Sequence, residues 1–255
     1  MRSKAKSLLV IIFILCSVTV SFAETLTVRA DFWLPYNGDP EKPKPGYMIE
    51  VLREIFEPKG IKVDYKLQDW AEALDDVNNG KYDAVVGTDD EEAPGMIFPE
   101  EEFGLMTIAF FVRLGTNFNY ESVDDLSGVN LGVINGYSYN EEIDSYVSKH
   151  LGSDKILAVS GDDALPALIE KLVAGEVDVI VEDPNVMAYA LGKSGNKTVI
   201  QSSALDEPYA LYVAFSPKKK NSKRYAELFD EGINKLRSTG KLKKILGSYL
   251  LKDWK

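Results

Sequence analysis

The sequence predicts an α/β protein made of two similar lobes, each a mainly parallel sheet flanked by helices. Short apolar segments typical of buried strands alternate with segments that carry apolar residues at helical spacing, as in parallel sheets covered by helices. One stretch of this pattern occurs twice, because residues 80–86 read GKYDAVV and residues 175–181 read GEVDVIV. Each stretch follows a predicted helix and enters a predicted strand, so we expect two units of the same architecture.

The first predicted unit has clear starts and stops. In residues 47–56, Met48 lies one turn before Leu52, as in an amphipathic helix, and Pro58 ends the pattern. Asp69 precedes a second helical pattern and is a typical N-cap residue. The predicted elements are strand 26–30, helix 47–56, strand 61–67, a helix that follows Asp69, and strand 82–87.

The second predicted unit repeats this order. Ser138 and Glu141 have the spacing of a capping box, in which the hydroxyl and the carboxylate each accept from the other residue's backbone amide. They predict a helix that runs to residue 147. The elements predicted after it are strand 156–159, helix 163–174 and strand 177–181.

The amino terminus has the pattern of a secretory signal peptide. Basic side chains precede an apolar run over residues 8–20, which is too short for a good membrane span, and small residues lead to Ala23. We expect cleavage after Ala23 and a periplasmic mature protein. Cys16, the only cysteine, would be removed, which excludes a disulfide. Bulky residues just before Cys16 disfavour a lipid anchor.

The protein is strongly acidic. Its formal net charge is −11, and cleavage takes it to −14 because residues 1–23 contain three basic side chains and no acidic one. Nucleic acid is therefore not an expected partner. The charge serves solubility in the simplest interpretation, and a field that favours cationic solutes is the alternative.

Polar side chains follow two of the predicted strands. Thr88, Asp89 and Asp90 come after strand 82–87, and Glu182, Asp183 and Pro184 come after strand 177–181. Because ligands of open parallel sheets bind beyond the carboxyl ends of the strands, these residues should line a shared cleft if the two sheets face each other.

Aromatic side chains lie near the same strand ends. Ring faces beside carboxylates suit a cation, although rings in such places also serve as core or rim packing. The candidates are Phe32, Trp33, Tyr36 and Trp70 in the first unit and Tyr137 in the second.

The turn at residues 135–138 is also a candidate anion-binding site. It joins a strand to a predicted helix start, where free backbone amides can hold an anion. Tyr137 and Ser138 are therefore candidate ligand contacts of either kind.

Several motifs occur in an order that is typical of one family. They are the Pro35-Tyr36 loop, GYMIE at 46–50, Trp70 followed by GKYD at 80–83, FFVR at 110–113, VDDLSG at 123–128, and the segments 175–183 and 240–249. In this order they resemble the periplasmic solute-binding proteins of polar amino-acid ABC transporters, extracellular solute-binding protein family 3. The resemblance covers nearly all of the chain after residue 23.

The resemblance implies a type II periplasmic-binding-protein fold with two hinge crossings, near residues 114 and 205. A small solute would be captured by hinge closure, and an ABC permease in the membrane would recognise the closed, monomeric form. The implied limits are 24–114 and 205–255 for lobe 1 and 115–204 for lobe 2, with strands 105–113 and 209–215 beside the hinge.

One departure from the family limits the choice of solute. Amino-acid binders usually have an arginine shortly after the strand that ends here at Gly87, where its fork grips the ligand carboxylate, but residues 89–94 read DDEEAP. Arg29 is a candidate replacement, although a salt bridge is its simpler role. Asp183 falls where the family has an acid for the ligand ammonium group, so we expect an amine-bearing solute, and a zwitterion stays open as one form of it.

Two other functions of this fold stay open. Some relatives are secreted dehydratases, and Asp89 with Glu182 could supply an acid and a base. A ligand-sensing subunit of a membrane receptor would use the same cleft and hinge. The sequence has no Ser/His/Asp set, no Cys nucleophile and no metal-ligand spacing of His and Cys, so we expect a binding protein without catalysis, cofactor or metal.

Overall fold

The computed structural model describes residues 24–205 and 207–255. The predicted signal peptide, with Cys16, lies outside the described residues. Within the described part of the chain, no helix combines the length and the hydrophobicity needed to cross a membrane.

The described residues form two five-stranded sheets with helices packed around them. In the first half of the chain the elements are β1 Glu24–Ala30, α1 Tyr47–Phe56, β2 Ile61–Leu67, α2 Trp70–Asn78, β3 Ala84–Thr88, β4 Gly104–Met106 and β5 Ala109–Arg113. They continue with β6 Leu131–Ile134, α3 Glu141–His150, β7 Ile156–Val159, α4 Ala164–Ala174, β8 Val179–Glu182 and α5 Pro184–Ser194. The last are β9 Val199–Ala204, β10 Tyr209–Phe215, α6 Ser222–Ser238 and α7 Lys241–Ser248.

The two sheets have matching plans. The first has the strand order β2-β1-β3-β10-β4 and the second has the order β7-β6-β8-β5-β9. In each sheet the predicted strands pair in parallel, β1 with β2 and β3, and β6 with β7 and β8. All antiparallel pairings involve β5 or β10. The prediction of two α/β units is confirmed, although the sheets are mixed.

The chain passes between the sheets beside β4 and β5. A single strand was expected over residues 105–113, but β4 pairs with β10 in the first sheet and β5 pairs with β8 and β9 in the second. The chain therefore passes from the first sheet to the second between Met106 and Ala109. The strand divides because Thr107 N donates to the Asp183 carboxylate at 3.1 Å instead of continuing the β4 pairing.

Helix α1 covers one face of the first sheet. Met48, Leu52 and Ile55 on its inner face are between 0 and 3% exposed. Helix α6 packs closely against it, because a Cβ atom on Gly232 would lie only 2.5 Å from Ile55 Cγ2. These contacts fix α1, whose first turn positions the loop that follows β1.

Two predicted helix starts had different outcomes. Asp69 caps α2 as expected, and its Oδ1 accepts from Glu72 N at 3.3 Å. The capping box predicted at Ser138 was wrong, because Asn140 caps α3 and accepts from Ile143 N at 2.8 Å. The hydroxyl of Ser138 instead donates to Asp144 at 2.6 Å.

Candidate functional site

The loop that follows β1 holds two aromatic side chains rigidly at the end of the first sheet. Trp33 N donates to Asn37 O at 2.8 Å, and Met48 N in α1 donates to Tyr36 O at 3.1 Å. The rings of Trp33 and Tyr36 stack with their centroids 4.2 Å apart. Both rings are thereby aimed across the cleft toward the second sheet.

The second sheet presents the start of α5 at the same place. Asp183 follows β8 and caps α5, and its Oδ1 accepts from Asn185 N at 2.8 Å and from Val186 N at 3.1 Å. Burial nevertheless raises the pKa of Asp183 to about 6, since these hydrogen bonds only partly offset the loss of water.

Hydrogen bonds join the strand ends of the two sheets. In each, a ring hydroxyl or indole N–H of one sheet donates to a carboxylate of the other. The pairs are Tyr36 hydroxyl with Asp183 Oδ1 at 3.2 Å, Trp33 Nε1 with Glu182 Oε1 at 3.4 Å, and Tyr137 hydroxyl with Asp31 Oδ2. The ends of the two sheets therefore face each other, as the sequence predicted.

The cleft contains two cavities that share Asp31, Trp33, Trp70, Tyr137 and Glu182. The apolar cavity, of about 750 Å³, lies between the loop after β1 and helices α4 and α5. The acidic cavity, of about 690 Å³, lies between the turn after β3 and the turn before α3. Its acidic lining consists of Asp31, Asp89, Glu91, Glu92, Glu141, Glu142, Asp144, Glu182 and Asp183.

Glu182 is the most strongly perturbed acid of the site. It is 3% exposed, and its Oε1 accepts from Asp183 N at 2.8 Å. Its Oε2 has no hydrogen-bond partner among the residues that the structure describes. Burial, with a smaller contribution from the nearby Asp183 carboxylate, raises the pKa of Glu182 to about 8.

Asp31 and Glu92 are two further acids of this lining. Glu92 accepts from Trp70 Nε1 at 2.8 Å and from the Thr88 hydroxyl at 2.9 Å. Burial raises the pKa of Glu92, and it raises the pKa of Asp31 to about 6 despite the hydrogen bond from Tyr137. The hydrogen bonds to both carboxylates therefore come from uncharged donors.

Four acids of this lining, the buried Glu182 and Asp183 and the partly buried Asp31 and Glu92, have no basic partner in the described ranges 24–205 and 207–255. None of Asp31, Glu92, Glu182 and Asp183 forms a salt bridge there. The described lining of the acidic cavity contains no Lys, Arg or His. A cation from solution would therefore find several desolvated carboxylates without a competitor.

The structure places most of the predicted site residues at the cleft. Trp33, Trp70 and Tyr137 line both cavities, Phe32 lines the apolar cavity, and Thr88, Asp89, Ser138 and Asp183 line the acidic cavity. The buried ring of Tyr36 reaches the cleft through its hydroxyl.

Two predicted site residues lie elsewhere. Arg29 lines neither cavity, because its guanidinium donates to the carbonyls of Val28 and Asp64, pairs with the Asp64 carboxylate at 3.6 Å and stacks on the Tyr82 ring. Asp90 is exposed and also lines neither cavity, since the turn after β3 directs Asp89 and Glu92 inward instead.

Sequence reasoning did not select two acids of the cleft, Asp31 and Glu92, and it named Glu182 at the strand end without including it among the ligand contacts. Asp31 directly follows β1, so the strand-end rule that selected Glu182 and Asp183 also applies to it. Glu92 gave no such signal, because its inward position depends on the fold of the turn after β3.

Comparison with known protein families identifies the family of this chain. The model of the family described as "Bacterial extracellular solute-binding proteins, family 3" matches residues 30–252. The chain belongs to this family. It is a bacterial solute-binding protein of an extracellular type, and the family assignment confirms the expectation of a binding protein over the dehydratase alternative.

Individual relatives of this solute-binding protein are distant. The L-cystine-binding protein TcyA of Bacillus subtilis (strain 168) is 24% identical over 211 residues, which are 82% of this chain and 73% of TcyA. A solved structure that describes glutathione import via GshT and the cystine ABC importer TcyBC of Streptococcus mutans has a TM-score of 0.73 at 18% identity. It covers 90% of this chain and 98% of the other.

A histidine kinase sensor domain similar to periplasmic binding proteins has the same fold. Its TM-score is 0.70 at 22% identity, with 90% of this chain and 98% of that one covered. Together these likenesses confirm the predicted type II periplasmic-binding-protein fold, with its two five-stranded sheets. At this level of identity they show the fold alone.

Proposed function

We propose that this protein captures a small amine-bearing solute between two lobes and delivers it to the permease of an ABC importer. One observation carries the proposal: Glu182 and its neighbouring buried carboxylates face one cavity and have no basic partner among the described residues. Burying carboxylates without cations is costly, so a bound ammonium group would recover much of that free energy.

The proposed lobes are built around the two sheets, with the chain crossing between β4 and β5 and between β9 and β10. Hydrogen bonds from Trp33 to Glu182 and from Tyr36 to Asp183 connect these lobes. A solute that contacts carboxylates of both lobes binds the closed form more tightly than the open one, and so it shifts the population toward closure.

Within the site, Glu182 is the proposed contact for the ammonium group because its Oε2 is free to accept. The Oδ1 atom of Asp183 is already used by the amides of α5 and by Tyr36. Its Oδ2 accepts from Thr107 N at 3.1 Å. Asp183 therefore supports binding mainly by holding the closed arrangement.

The relatives support delivery to an importer. TcyA is an L-cystine-binding protein, and the Streptococcus mutans structure concerns the cystine ABC importer TcyBC; this chain matches both over most of its length. We propose the same class of partner here, a permease that recognises the closed form outside the cytoplasm.

A ligand screen on the chain from residue 24 onward tests the proposal. Thermal unfolding would be measured with amino acids, polyamines, betaines and small carboxylates, and hits would be titrated by calorimetry. We expect stabilisation by compounds that carry an amine. Stabilisation only by carboxylates without an amine, or chemical turnover of any compound, would contradict the proposal.

A further inference from the structure

The unpartnered oxygen of Glu182 marks one end of a ligand site. The side chain is 3% exposed and lines the acidic cavity, and its Oε2 has no donor within the described part of the chain. A buried carboxylate oxygen is almost always hydrogen-bonded in folded proteins. The missing donor is therefore expected from the solute. Trp33, whose indole N–H donates to the other oxygen at 3.4 Å, lines the same cavity.

A second end lies at Glu92, in the turn after β3 of the other sheet. Its two oxygens accept only from the neutral donors Trp70 Nε1 and Thr88 hydroxyl. Asp89, in the same turn, adds another negative charge to this side of the acidic cavity. The two acidic ends belong to different sheets, so one extended cation could bridge them.

The turn after β3 has no free place for a carboxylate. In this turn the backbone amides of Glu91 and Glu92 donate to Asp89 Oδ1 at 3.0 and 2.9 Å. The amide of Ala93 donates to Asp89 O at 3.0 Å. The protein's own carboxylate thus occupies the amides that could otherwise hold an anion.

Several backbone amides of the turn before α3 are also used by the protein itself. Tyr139 N donates to Asp144 Oδ1 at 2.9 Å, and the amide of Ile143 donates to Asn140. The amide of Tyr137 donates to Ile134 O at 3.3 Å. These three amides are therefore not available to an anion, and Asp144 adds a negative charge beside them.

We propose that the solute is a small dication that lacks a carboxylate, an aliphatic diamine or an amino-guanidine whose two charged ends pair with Glu182 and Glu92. This inference rests on the proposed function and narrows it. An amino acid would bring its carboxylate into a cavity whose described lining contains nine acidic side chains and no Lys, Arg or His, while the aliphatic middle of a diamine packs against Trp70 and Tyr137, which line the same cavity.

Two pairs of compounds, in which the members differ only by one carboxylate, test the proposed dication directly. Calorimetric titration would compare lysine with 1,5-diaminopentane, and arginine with 4-aminobutylguanidine. We expect the decarboxylated member of at least one pair to bind at least about tenfold more tightly. Pentylamine, with one charge, should bind more weakly than 1,5-diaminopentane.

If the amino acid binds as tightly as its decarboxylated form, or more tightly, in both pairs, the proposal that the solute is a dication without a carboxylate is wrong. If neither pair binds but another amine from the thermal screen does, the dication fails and the proposed function stands. If no amine-bearing compound binds at all, both fail.

Variants that remove the charge of one carboxylate at a time test whether Glu182 and Glu92 bind the two charged ends of the solute. Glu182→Gln and Glu92→Gln should each weaken diamine binding about tenfold or more, because each leaves one ammonium group without its carboxylate. Glu227→Gln, on the exposed face of α6, is the matched control and should leave the affinity unchanged. Unchanged affinity in both cavity variants, with normal thermal unfolding, would place the ligand elsewhere.

Discussion

The hydroxyl of Tyr36, in the loop after β1, donates to Asp183 Oδ1 at the start of α5 at 3.2 Å. This contact joins the two sheets through groups that are 1% and 3% exposed. Asn185 Nδ2 donates to the same hydroxyl at 3.1 Å, so the tyrosine is held on the second sheet by two residues. The closed arrangement of the cleft therefore depends on a polar contact that can be removed by deleting one atom.

Tyr36→Phe should weaken solute binding about threefold to tenfold, because the closed form loses this hydrogen bond while the cavity lining keeps its shape. Isothermal titration calorimetry with any hit of the ligand screen measures the effect.

Tyr65→Phe is the control for that substitution. The Tyr65 ring is 4% exposed, and its hydroxyl has no partner within residues 24–205 and 207–255. Its removal should leave the affinity unchanged and should not lower the thermal midpoint. Equal losses of affinity in both variants would show that Tyr36 acts through general packing rather than through Asp183.

Asp183→Ala should weaken binding at least about tenfold and also lower stability, by about 1 kcal/mol for the lost cap of α5. Asp183→Asn separates the two effects, because an amide oxygen can still accept from Asn185 N and Val186 N. We expect the Asn variant to keep the thermal midpoint within a few degrees and to lose most of the affinity. Wild-type affinity in both variants would remove Asp183 from the site.

The stability of the ligand-free protein should fall as the pH rises from about 5 to about 8.5. Glu182 has a pKa of about 8 when folded against 4.5 for an ordinary Glu, and Asp183 has a pKa of about 6 against 3.8 for an ordinary Asp. The folded state therefore binds more protons than the unfolded state in this range, and the free energy of unfolding decreases as these protons are lost. Thermal unfolding at half-unit pH steps measures the slope.

Glu182→Gln should flatten that slope, most clearly above pH 6, because Glu182 is the acid with the highest pKa of the site. A slope that is identical in the wild type and in this variant would contradict the raised pKa of Glu182.

In the wild type, binding of a guanidinium compound should also release protons near pH 7, since the bound cation favours the ionised form of Glu182. Calorimetry in two buffers of different ionisation enthalpy measures that release.

Arg29→Met should lower stability by about 1–3 kcal/mol and leave solute affinity unchanged. The guanidinium is buried, bonded to two carbonyls and paired with Asp64, so its loss leaves those acceptors unsatisfied. Arg224→Met, at a half-exposed salt bridge with Glu24, is the milder control and should cost at most about 1 kcal/mol. A large loss of affinity in the Arg29 variant would restore the role first considered for it, that of a carboxylate anchor.

Helical spacing, breakers and the repeated strand motif were enough to predict two α/β units and their order. The strand-end rule also placed Thr88, Asp89 and Asp183 at a common cleft. It did so because alternating strands and helices predict a parallel sheet, and the carboxyl ends of parallel strands meet at one edge of that sheet. The lobe limits given by the family resemblance remain a prediction.

The direction and the partners of individual side chains were decided only by the tertiary structure. In β1, Val28, Arg29 and Ala30 are all buried, since a central strand is covered on both faces, so alternation in the sequence could not show that Arg29 turns away from the cleft. Likewise, Oε2 of Glu182 has no donor among the described residues because segments far apart in the chain surround it without placing a donor within reach. Local patterns decide where strands begin and end, whereas burial and hydrogen bonding of a charge depend on which distant segments the fold brings beside it.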